Sequence, residues 1–224
     1  GYKEPHEIKE HSLKKLQAQW AVSKHLLPAL KIYQIHSATF ESGVLENSQV
    51  LDELFRIKKE TGLKMGISTS GDRQPELLEF ASGIRIENEL LFDSFQVTFN
   101  ILETSTNIAL KQLIEGGRTV IVKEALANGR MFRHDHYKHY EELYTCLDRL
   151  SEKYQVSVDA IALRFIIDYL QPEVVLSGAS NIKQLTENLK ALKFELDHQE
   201  LASLKKFAVD SKFYWNERKK LQWN

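Results

Sequence analysis

The stretch from Val174 to Leu192 reads VVLSGASNIKQLTENLKAL and carries the pattern of a strand, a turn and a helix. A short apolar run comes first, Gly178 turns the chain, and Ser180 or Asn181 can cap the helix that follows. The leucines of that helix recur at the spacing of one helix face: Leu185, Leu189 and Leu192. We therefore predict a buried parallel strand, a turn and a helix whose free N–H groups suit a phosphate. Ordinary strand–turn–helix connections share the pattern, so both interpretations stay open.

The composition is typical of a globular protein. The chain has 224 residues, of which 42% are hydrophobic and 27% charged, and its formal net charge is -1. This balance favours neither nucleic acid nor an acidic membrane as a partner. The single cysteine, Cys146, excludes an internal disulfide framework and suits a reducing compartment. No apolar run approaches the roughly 20 residues that span a bilayer, and we expect a cytoplasmic protein without a secretion signal.

Strands and helices alternate along the chain. Apolar runs predict strands at 30–37, 63–68, 94–100, 119–122 and 174–176. Helical periodicity predicts helices at 7–19, 48–61, 75–82 and 106–114, one that ends at 154, and then 158–169, 182–192 and 197–211. This alternation indicates βαβ units, and no shift in composition divides the chain, so we predict a single domain over residues 1–224. Five strands are enough for a doubly wound sheet.

Motifs at the predicted strand ends resemble those of the aldo-keto reductases, in family order and over nearly the whole chain. They are Ile35–Ser37 (IHS), Lys64–Ser68 (KMGIS), Phe95–Asn100 (FQVTFN), Val122–Gly129 (VKEALANG), the GASN turn at 178–181 and the tail Tyr214–Arg218 (YWNER). Each motif is weak alone, whereas their common order is specific. The resemblance implies an α/β fold of the (β/α)8 TIM-barrel type, incomplete, with about five parallel strands that correspond to strands 4–8. We expect the first three βα units to be missing from this chain, which begins with Gly1 instead of methionine.

The resemblance also implies a reaction. Aldo-keto reductases transfer a hydride from NAD(P)H to an aldehyde or ketone, with a tyrosine as general acid and a lysine, an aspartate and a histidine beside it. His36 corresponds to that histidine, which orients the substrate carbonyl, while the other three residues belong to the missing units. We therefore expect an NAD(P)H-dependent oxidoreductase acting on a small-molecule carbonyl. This chain alone is expected to be inactive, with another chain or segment completing the barrel.

The resemblance assigns cofactor contacts to ten residues. The nicotinamide carboxamide has two donors and an acceptor, so it needs mixed polar partners such as the side chains of Ser68 and Gln96. The other eight belong to the phosphate and adenosine end: Lys123, Leu126, Gly178, Ser180, Asn181, Gln184, Glu187 and Asn188. Because Gln184 stands where NADP-selective members often carry an arginine, the implied cofactor is NADP(H) or NAD(H).

Two positions that bear on the cofactor depart from the family pattern. Thr69 replaces an asparagine that contacts the carboxamide, and Lys123 replaces an aromatic residue that stacks on nicotinamide. Glu124 would repel phosphate unless its side chain turns away. A structural interpretation also stands beside the functional one, because Gln96 and Asn100 can simply satisfy backbone groups in a barrel interior.

Two other functions remain open. A catalytically silent barrel remnant could bind a nucleotide or a protein partner. A metal-dependent hydrolase could use the histidines of the segment HDHYKHY at 134–140, namely His134, His136 and His139. Asp135 and Tyr140 reproduce the family's interval between catalytic aspartate and tyrosine, but they follow the wrong strand. The histidine spacing lacks a strong zinc pattern, so we expect no metal site.

Overall fold

The computed structural model describes residues 10–221. Their contacts group them into two compact units, one that ends at Gln96 and one that begins at Val97. The boundary falls inside one strand, β5 (Ser94–Thr98). The single domain expected over residues 1–224 stays a prediction.

The first unit has parallel strands with helices between them. Its helices are α1 (Leu13–Ser23), α2 (Ser48–Thr61) and α3 (Gln74–Ser82), and its strands are β1 (Ile32–Ala38), β2 (Lys64–Thr69), β3 (Arg85–Ile86), β4 (Glu89–Leu90) and the first residues of β5. The sheet order is β1-β2-β5, and both pairs are parallel. β3 and β4 form an antiparallel hairpin that sequence analysis missed. Its turn places Glu87 and Asn88 in the left-handed region, without the glycine that usually marks such a turn.

The helix signals of the first unit differ in how well they predict helix ends. α2 begins and ends as predicted, because Asn47 accepts the Val50 amide at 3.3 Å and Gly62 ends the helix with φ 71°. Its buried apolar face packs against β2: Val50, Leu51, Leu54, Phe55 and Ile57. α1 begins later than predicted, after the Ser12 cap, and continues to Ser23. Residues 7–9 of that predicted helix lie outside the described residues.

One face of the β1-β2-β5 ladder is polar. Gln34 lies opposite Gly66, and Ser68 lies opposite Gln96. Side chains alternate between the two faces of a strand, so Gly66 and Ser68 belong to the same side as these glutamines. The opposite face carries buried apolar side chains: Ile35, Met65, Ile67 and Phe95. The ladder therefore separates a polar face from an apolar core.

β1 carries a bulge at its carboxyl end. The register with β2 shifts after Ile35, so that β1 has one more residue than its partner up to Ala38. Ser37 within the bulge has φ 51° and is buried, whereas its neighbour His36 is exposed. The bulge thus sets the exposure of the histidine that the sequence singled out.

The second unit continues from β5 in the order β5-β6-β7. Its further strands are β6 (Thr119–Lys123) and β7 (Val174–Val175), which pair in parallel. Its helices are α4 (Asn107–Glu115), α5 (Glu141–Tyr154), α6 (Val158–Leu170), α7 (Ile182–Leu189), α8 (His198–Lys205) and α9 (Ser211–Lys219). Most of α6 is buried, including Ala160, Ile161, Phe165 and Ile166. This helix forms the centre of the apolar core of the second unit.

The stretch Val174–Leu192 forms a strand, a turn and a helix as predicted, but its burial differs from the prediction. β7 has two residues, and Val174 and Leu176 are 37% and 41% exposed, so the prediction of a buried strand is wrong. The apolar side chains of α7 and the turn after it are exposed as well: Ile182, Leu185, Leu189 and Leu192. Periodicity identifies an apolar helix face, but it does not say whether another element covers that face.

The end of the chain contains a helix that sequence analysis missed. One helix was predicted at 197–211, whereas α8 ends at Lys205 and α9 begins at Ser211. The Asp210 side chain accepts the Phe213 amide at 3.1 Å and so starts the new helix. None of the helices within residues 10–221 is long and apolar enough to cross a membrane.

Candidate functional site

The polar face of the first unit holds a pair of glutamines. Gln34 Nε2 donates a long hydrogen bond of 3.5 Å to Gln96 Oε1. Gln34 Oε1 is buried and has no hydrogen-bond partner among the described residues, and the same is true of Ser94 Oγ. Ser68, directly opposite Gln96, is fully buried. Buried polar atoms are usually satisfied, so unpaired atoms on this face indicate a place for a polar ligand group.

Thr69, where the family pattern has an asparagine, has a structural contact. Its hydroxyl donates to Gln74 Oε1 at 3.0 Å, and both residues are fully buried. Gln74 is the first residue of α3, so this hydrogen bond joins the end of β2 to the start of the next helix. Thr69 also lies on the face opposite Ser68, because adjacent residues of a strand alternate.

His36 lies at the edge of an open cavity within the first unit. Its carbonyl oxygen is 2.9 Å from His11 Nε2, and its own Nε2 is 3.3 Å from Ser37 Oγ. Together with Gln34 and Tyr33 it lines a cavity of about 660 Å³ between α1 and β1. This size falls within the roughly 300–1,000 Å³ that is common for small-molecule sites.

In the second unit, the loops that follow the parallel strands β6 and β7 begin at the same edge of the sheet, the carboxyl edge. The Leu176 amide donates to the Val122 carbonyl at 2.9 Å, which aligns the carboxyl ends of the two strands. Lys123 ends β6 and Leu126 belongs to the loop after it, and both residues are partly exposed. Gly178, with φ 66°, belongs to the loop after β7. The carboxyl edge of parallel strands is where ligands bind in α/β folds.

The side chain of Glu124 forms an ion pair with Arg218. Arg218 Nε donates to Glu124 Oε1 and Oε2 at 3.0 and 2.9 Å, and Nη2 donates to Oε1 as well. The Glu124 side chain is only 10% exposed. A carboxylate neutralised in this way no longer opposes an anion beside Lys123.

Asn100 confirms the structural interpretation that the sequence left open for it. Its Oδ1 accepts the amides of Leu102 and Glu103 at 3.0 Å each. Its Nδ2 donates to the Glu124 carbonyl at 3.0 Å and to the Tyr214 hydroxyl at 2.9 Å. All the polar atoms of this side chain are therefore used inside the protein.

Arg130 was missed by sequence analysis, although it is fully buried. Its Nε donates to the Ala127 carbonyl at 2.9 Å, and its Nη1 donates to the Tyr214 carbonyl at 3.1 Å and to Glu217 Oε2 at 3.3 Å. The guanidinium also stacks 4.0 Å from the centre of the Tyr214 ring, whose burial raises the pKa of its hydroxyl. The available signal was a charged residue directly after the family-like Val122–Gly129 motif.

The amino end of α7 is capped by its own side chains. The Ser180 amide and hydroxyl donate to Gln184 Oε1 at 2.8 and 2.9 Å, and Asn181 Oδ1 accepts the Gln184 amide at 2.9 Å. The prediction of free N–H groups is therefore wrong for Ser180 and Gln184. Short polar side chains at this position satisfy helix amides locally, and the sequence contained all three.

The later residues of α7 divide between surface and core. Glu187 pairs with Lys190 at 2.7 Å on the partly exposed side of the helix. Asn188 is 5% exposed and donates from Nδ2 to the Ser177 carbonyl at 3.1 Å. Its Oδ1 is buried without a hydrogen-bond partner in the described part of the chain. Asn188 thus joins α7 to the loop and keeps one acceptor unpaired.

Two side chains of the segment 134–140 contact the same carboxylate, that of Glu217. His139 Nε2 is 2.9 Å from Glu217 Oε1, and the Tyr140 hydroxyl donates to the other oxygen of the same carboxylate. Burial and this contact with Glu217 raise the pKa of Tyr140. Within residues 10–221, no three His, Cys, Asp or Glu side chains are arranged to hold a metal ion.

Comparison with known proteins identifies the family. A sequence model of the Aldo/keto reductase family matches residues 9–209. The chain belongs to this family. The resemblance inferred from the strand-end motifs is therefore confirmed. Among the curated protein sequences compared, none matches the chain.

Solved structures of aldo-keto reductases share the fold. The apo form of AKR11C1 from Bacillus halodurans is 20% identical and has a TM-score of 0.63, with 87% of this chain and 68% of that chain covered. The thermostable Tm1743 in complex with the inhibitor epalrestat is 22% identical and has a TM-score of 0.62, with 87% of this chain and 66% of that chain covered. A Bombyx mori aldo-keto reductase in complex with NADP is 20% identical and has a TM-score of 0.60, with 89% of this chain and 65% of that chain covered.

These likenesses concern the fold, because the identities are low. The predicted fold class, an incomplete α/β barrel of the (β/α)8 type with five parallel strands, is confirmed. The chain spans about two thirds of the length of the solved reductases that it matches. The ligand contacts of the residues singled out above, the missing βα units and the cytoplasmic location stay predictions.

Proposed function

We propose that this chain is the cofactor-binding portion of an NAD(P)H-dependent oxidoreductase that reduces an aldehyde or ketone by hydride transfer. Family membership supports the reaction class, and a Bombyx mori relative of the same fold was solved with NADP. The observation that carries the proposal is the polar face of the first unit. There, the buried Gln34 Oε1, which has no hydrogen-bond partner within residues 10–221, lies beside Gln96, and Ser68 lies opposite Gln96.

The polar face fits a carboxamide. A primary carboxamide offers two donors and one acceptor. Gln34 Oε1 can accept one donor and Gln96 can exchange a donor and an acceptor, while the Ser68 hydroxyl supplies a further donor. When bound, NAD(P)H supplies the hydride, and these three side chains orient the ring that carries it.

The phosphate and adenosine end would be held by the second unit. Lys123 would supply positive charge, and Leu126 would contact the cofactor from the loop after β6. Around the turn at Gly178 the proposed contacts come from Ser180, Asn181, Gln184, Glu187 and Asn188. Gln184 must rotate away from Ser180 before that amide can reach a phosphate, since the amide now donates to it. Gln184 offers no charge for a 2′-phosphate, so both NADP(H) and NAD(H) are proposed cofactors.

Catalysis needs a proton donor beside His36. We propose that His36 orients the carbonyl oxygen of a small-molecule substrate in the cavity that it lines. A general acid would still have to protonate that oxygen as hydride reaches the carbonyl carbon. Tyr140, a tyrosine at the family's interval from an aspartate, instead donates to Glu217. Little or no turnover is therefore expected from this chain alone, and another chain or segment would supply the acid and complete the barrel.

Titration with NADPH and NADH tests the proposal. Nucleotide fluorescence should report binding to the unmodified chain, and Gln96→Ala should weaken it about tenfold by removing a buried hydrogen-bond partner. Gln112→Ala, on an exposed position of α4, is the matched control and should bind as the unmodified chain does. Failure of both nucleotides to bind would overturn the proposal. Rapid aldehyde reduction by this chain alone would overturn the expected inactivity.

The alternative function is that of a catalytically silent barrel remnant which binds a nucleotide or a protein partner. The exposed apolar residues of α7 and its following turn favour it: Ile182, Leu185, Leu189 and Leu192. Large exposed apolar patches often mark protein contacts. Nucleotide binding that never leads to turnover, even after addition of the barrel segment from a relative, would favour this alternative.

A further inference from the structure

We propose that α9 is a strap that holds the loop 123–130 in its ligand-binding conformation, with Glu217 and Arg218 as positioning residues. The inference rests on the proposed function, because this loop is the proposed phosphate-side contact of the cofactor. Neither α9 residue is assigned a cofactor contact. Their effect on affinity would act through the shape of the loop.

The backbone of the loop is strained. Glu124, Ala127 and Asn128 have φ of 56°, 48° and 55°, in the left-handed region that residues with a side chain seldom adopt. Such conformations persist only where the surrounding structure enforces them, and they concentrate at functional sites. The loop therefore needs an external support.

Two adjacent residues of α9 provide that support at both ends of the loop. Arg218 makes a bidentate ion pair with Glu124 at the start of the loop. Glu217 accepts from the fully buried Arg130 at the end of the loop. Arg130 in turn donates to the carbonyl of Ala127, one of the strained residues. The ion pairs are largely shielded from water, where charge-assisted hydrogen bonds are strong and geometrically specific.

The strap is itself hydrogen-bonded to the loop that follows β5. The Val209 amide donates to the Leu102 carbonyl at 2.9 Å, and the Ser211 hydroxyl donates to Glu103 Oε2 at 2.9 Å. Asn100, which follows β5, contacts both the loop 123–130 and α9, because its Nδ2 donates to the Glu124 carbonyl and to the Tyr214 hydroxyl. The position of α9 is therefore supported by the loop after β5 and does not depend on α9 alone.

Hydrogen exchange and NADPH affinity together test the strap. Arg218→Ala should raise the exchange rates of the amides in 124–130 about tenfold or more, while those of Val120 and Val122 in β6 stay unchanged. It should also weaken NADPH binding about tenfold. Arg218→Lys keeps the charge but loses the bidentate geometry, so its exchange rates and NADPH affinity should lie between those of Arg218→Ala and of the unmodified chain. Lys219→Ala, on the exposed side of the same helix, is the control and should behave as the unmodified chain.

The outcomes separate this inference from the proposed function. Unchanged loop exchange in a folded Arg218→Ala or Glu217→Gln variant would overturn the strap, whether or not NADPH binds. Faster exchange with unaltered NADPH affinity would overturn the link between loop shape and cofactor. Absence of NADPH binding by the unmodified chain would contradict the proposed function, and with it the role of the strap in binding. Should Arg218→Ala unfold, the comparison of Arg218→Lys with Lys219→Ala decides the question.

Discussion

Gly66 and Gln34 face each other across the β1-β2 ladder so closely that a Cβ on Gly66 would lie 3.0 Å from the Gln34 Cβ. A second contact, with Ile32 Cγ2, would be 3.2 Å long. Because Gly66 has no side chain, the space above β2 is free for the Gln34 side chain, which reaches Gln96. This relationship links a single glycine to the geometry of the proposed carboxamide site.

Gly66→Ala is expected to destabilise the chain by about 1–3 kcal/mol, because it forces side chains apart in a well-packed strand pair. It should also weaken NADPH binding by displacing Gln34. Urea unfolding and fluorescence titration measure the two effects. Gly83→Ala is the control, because its Cβ would make an ordinary contact of 3.6 Å with the Phe80 carbonyl oxygen. Equal stability of both variants would contradict the packing argument.

Gln184→Arg should shift cofactor preference toward NADPH. The guanidinium adds the charge and the fork of donors that a 2′-phosphate requires, and we expect the ratio of NADPH to NADH affinity to rise about tenfold. The substitution also removes the Gln184 Oε1 acceptor from the Ser180 amide. Parallel titrations with the two nucleotides measure the ratio. Gln199→Arg, exposed on α8, controls for net charge, and an equal shift in that variant would refute the assignment.

Glu200 should make stability depend on acid pH. Burial disfavours its charge, but hydrogen bonds from Lys153 Nζ, the Tyr154 hydroxyl and the Asp197 amide outweigh burial and lower the pKa of Glu200. The unfolded chain then binds more protons than the folded chain, so stability is complete above the ordinary glutamate pKa of about 4.3 and falls as pH drops through the lower folded-state value.

Glu200→Gln tests this dependence. The neutral amide should cost about 1–3 kcal/mol at pH 7 and flatten the loss of stability in the acid range. Melting temperature measured across pH 3–7 gives both values. Glu195→Gln, whose side chain is 85% exposed, is the control. An unchanged acid slope in Glu200→Gln would show that other carboxylates govern the acid transition.

Leu189→Lys should leave the stability of the isolated chain within about 0.5 kcal/mol of the original, because Leu189 is 51% exposed and lies at the carboxyl end of α7. Solubility should rise. By contrast, Ile166→Ala in the buried α6 should cost about 2–5 kcal/mol. Chemical denaturation of the two variants provides the comparison. A large loss of stability in Leu189→Lys would mean that the apolar stripe is covered in solution.

The parts of the fold that could be predicted are those with local causes. α2 has a side-chain cap, a periodic apolar face and a glycine stop, and its observed bounds agree with the sequence signals. The hairpin β3–β4 has turn residues that give a weak signal, and α9 begins at a cap inside a stretch that was assigned to the preceding helix and loop. Local signals compete at such points, and long-range contacts decide between them.

The candidate site shows the same division. The order of motifs at the strand ends was enough to identify the family, and Ser68 and Gln96 do lie opposite each other. The pairing of Glu124 with Arg218 could not be foreseen, because 94 residues separate the partners. The same holds for Arg130 and Glu217, which are 87 residues apart. The sequence suggested that Glu124 would repel phosphate, whereas in the structure its carboxylate is paired with Arg218.

The alternation of strands and helices follows from periodicity and local turn chemistry, and the order of the strand-end motifs was enough to identify the family. Which polar atoms lack a partner, which charges pair and which apolar face is exposed became known only from the folded chain. Pairing and burial depend on neighbours from distant parts of the chain, and local sequence patterns do not contain those neighbours. Gln34 Oε1, Glu124 and Leu189 illustrate this, because their roles are set by what does or does not lie against them.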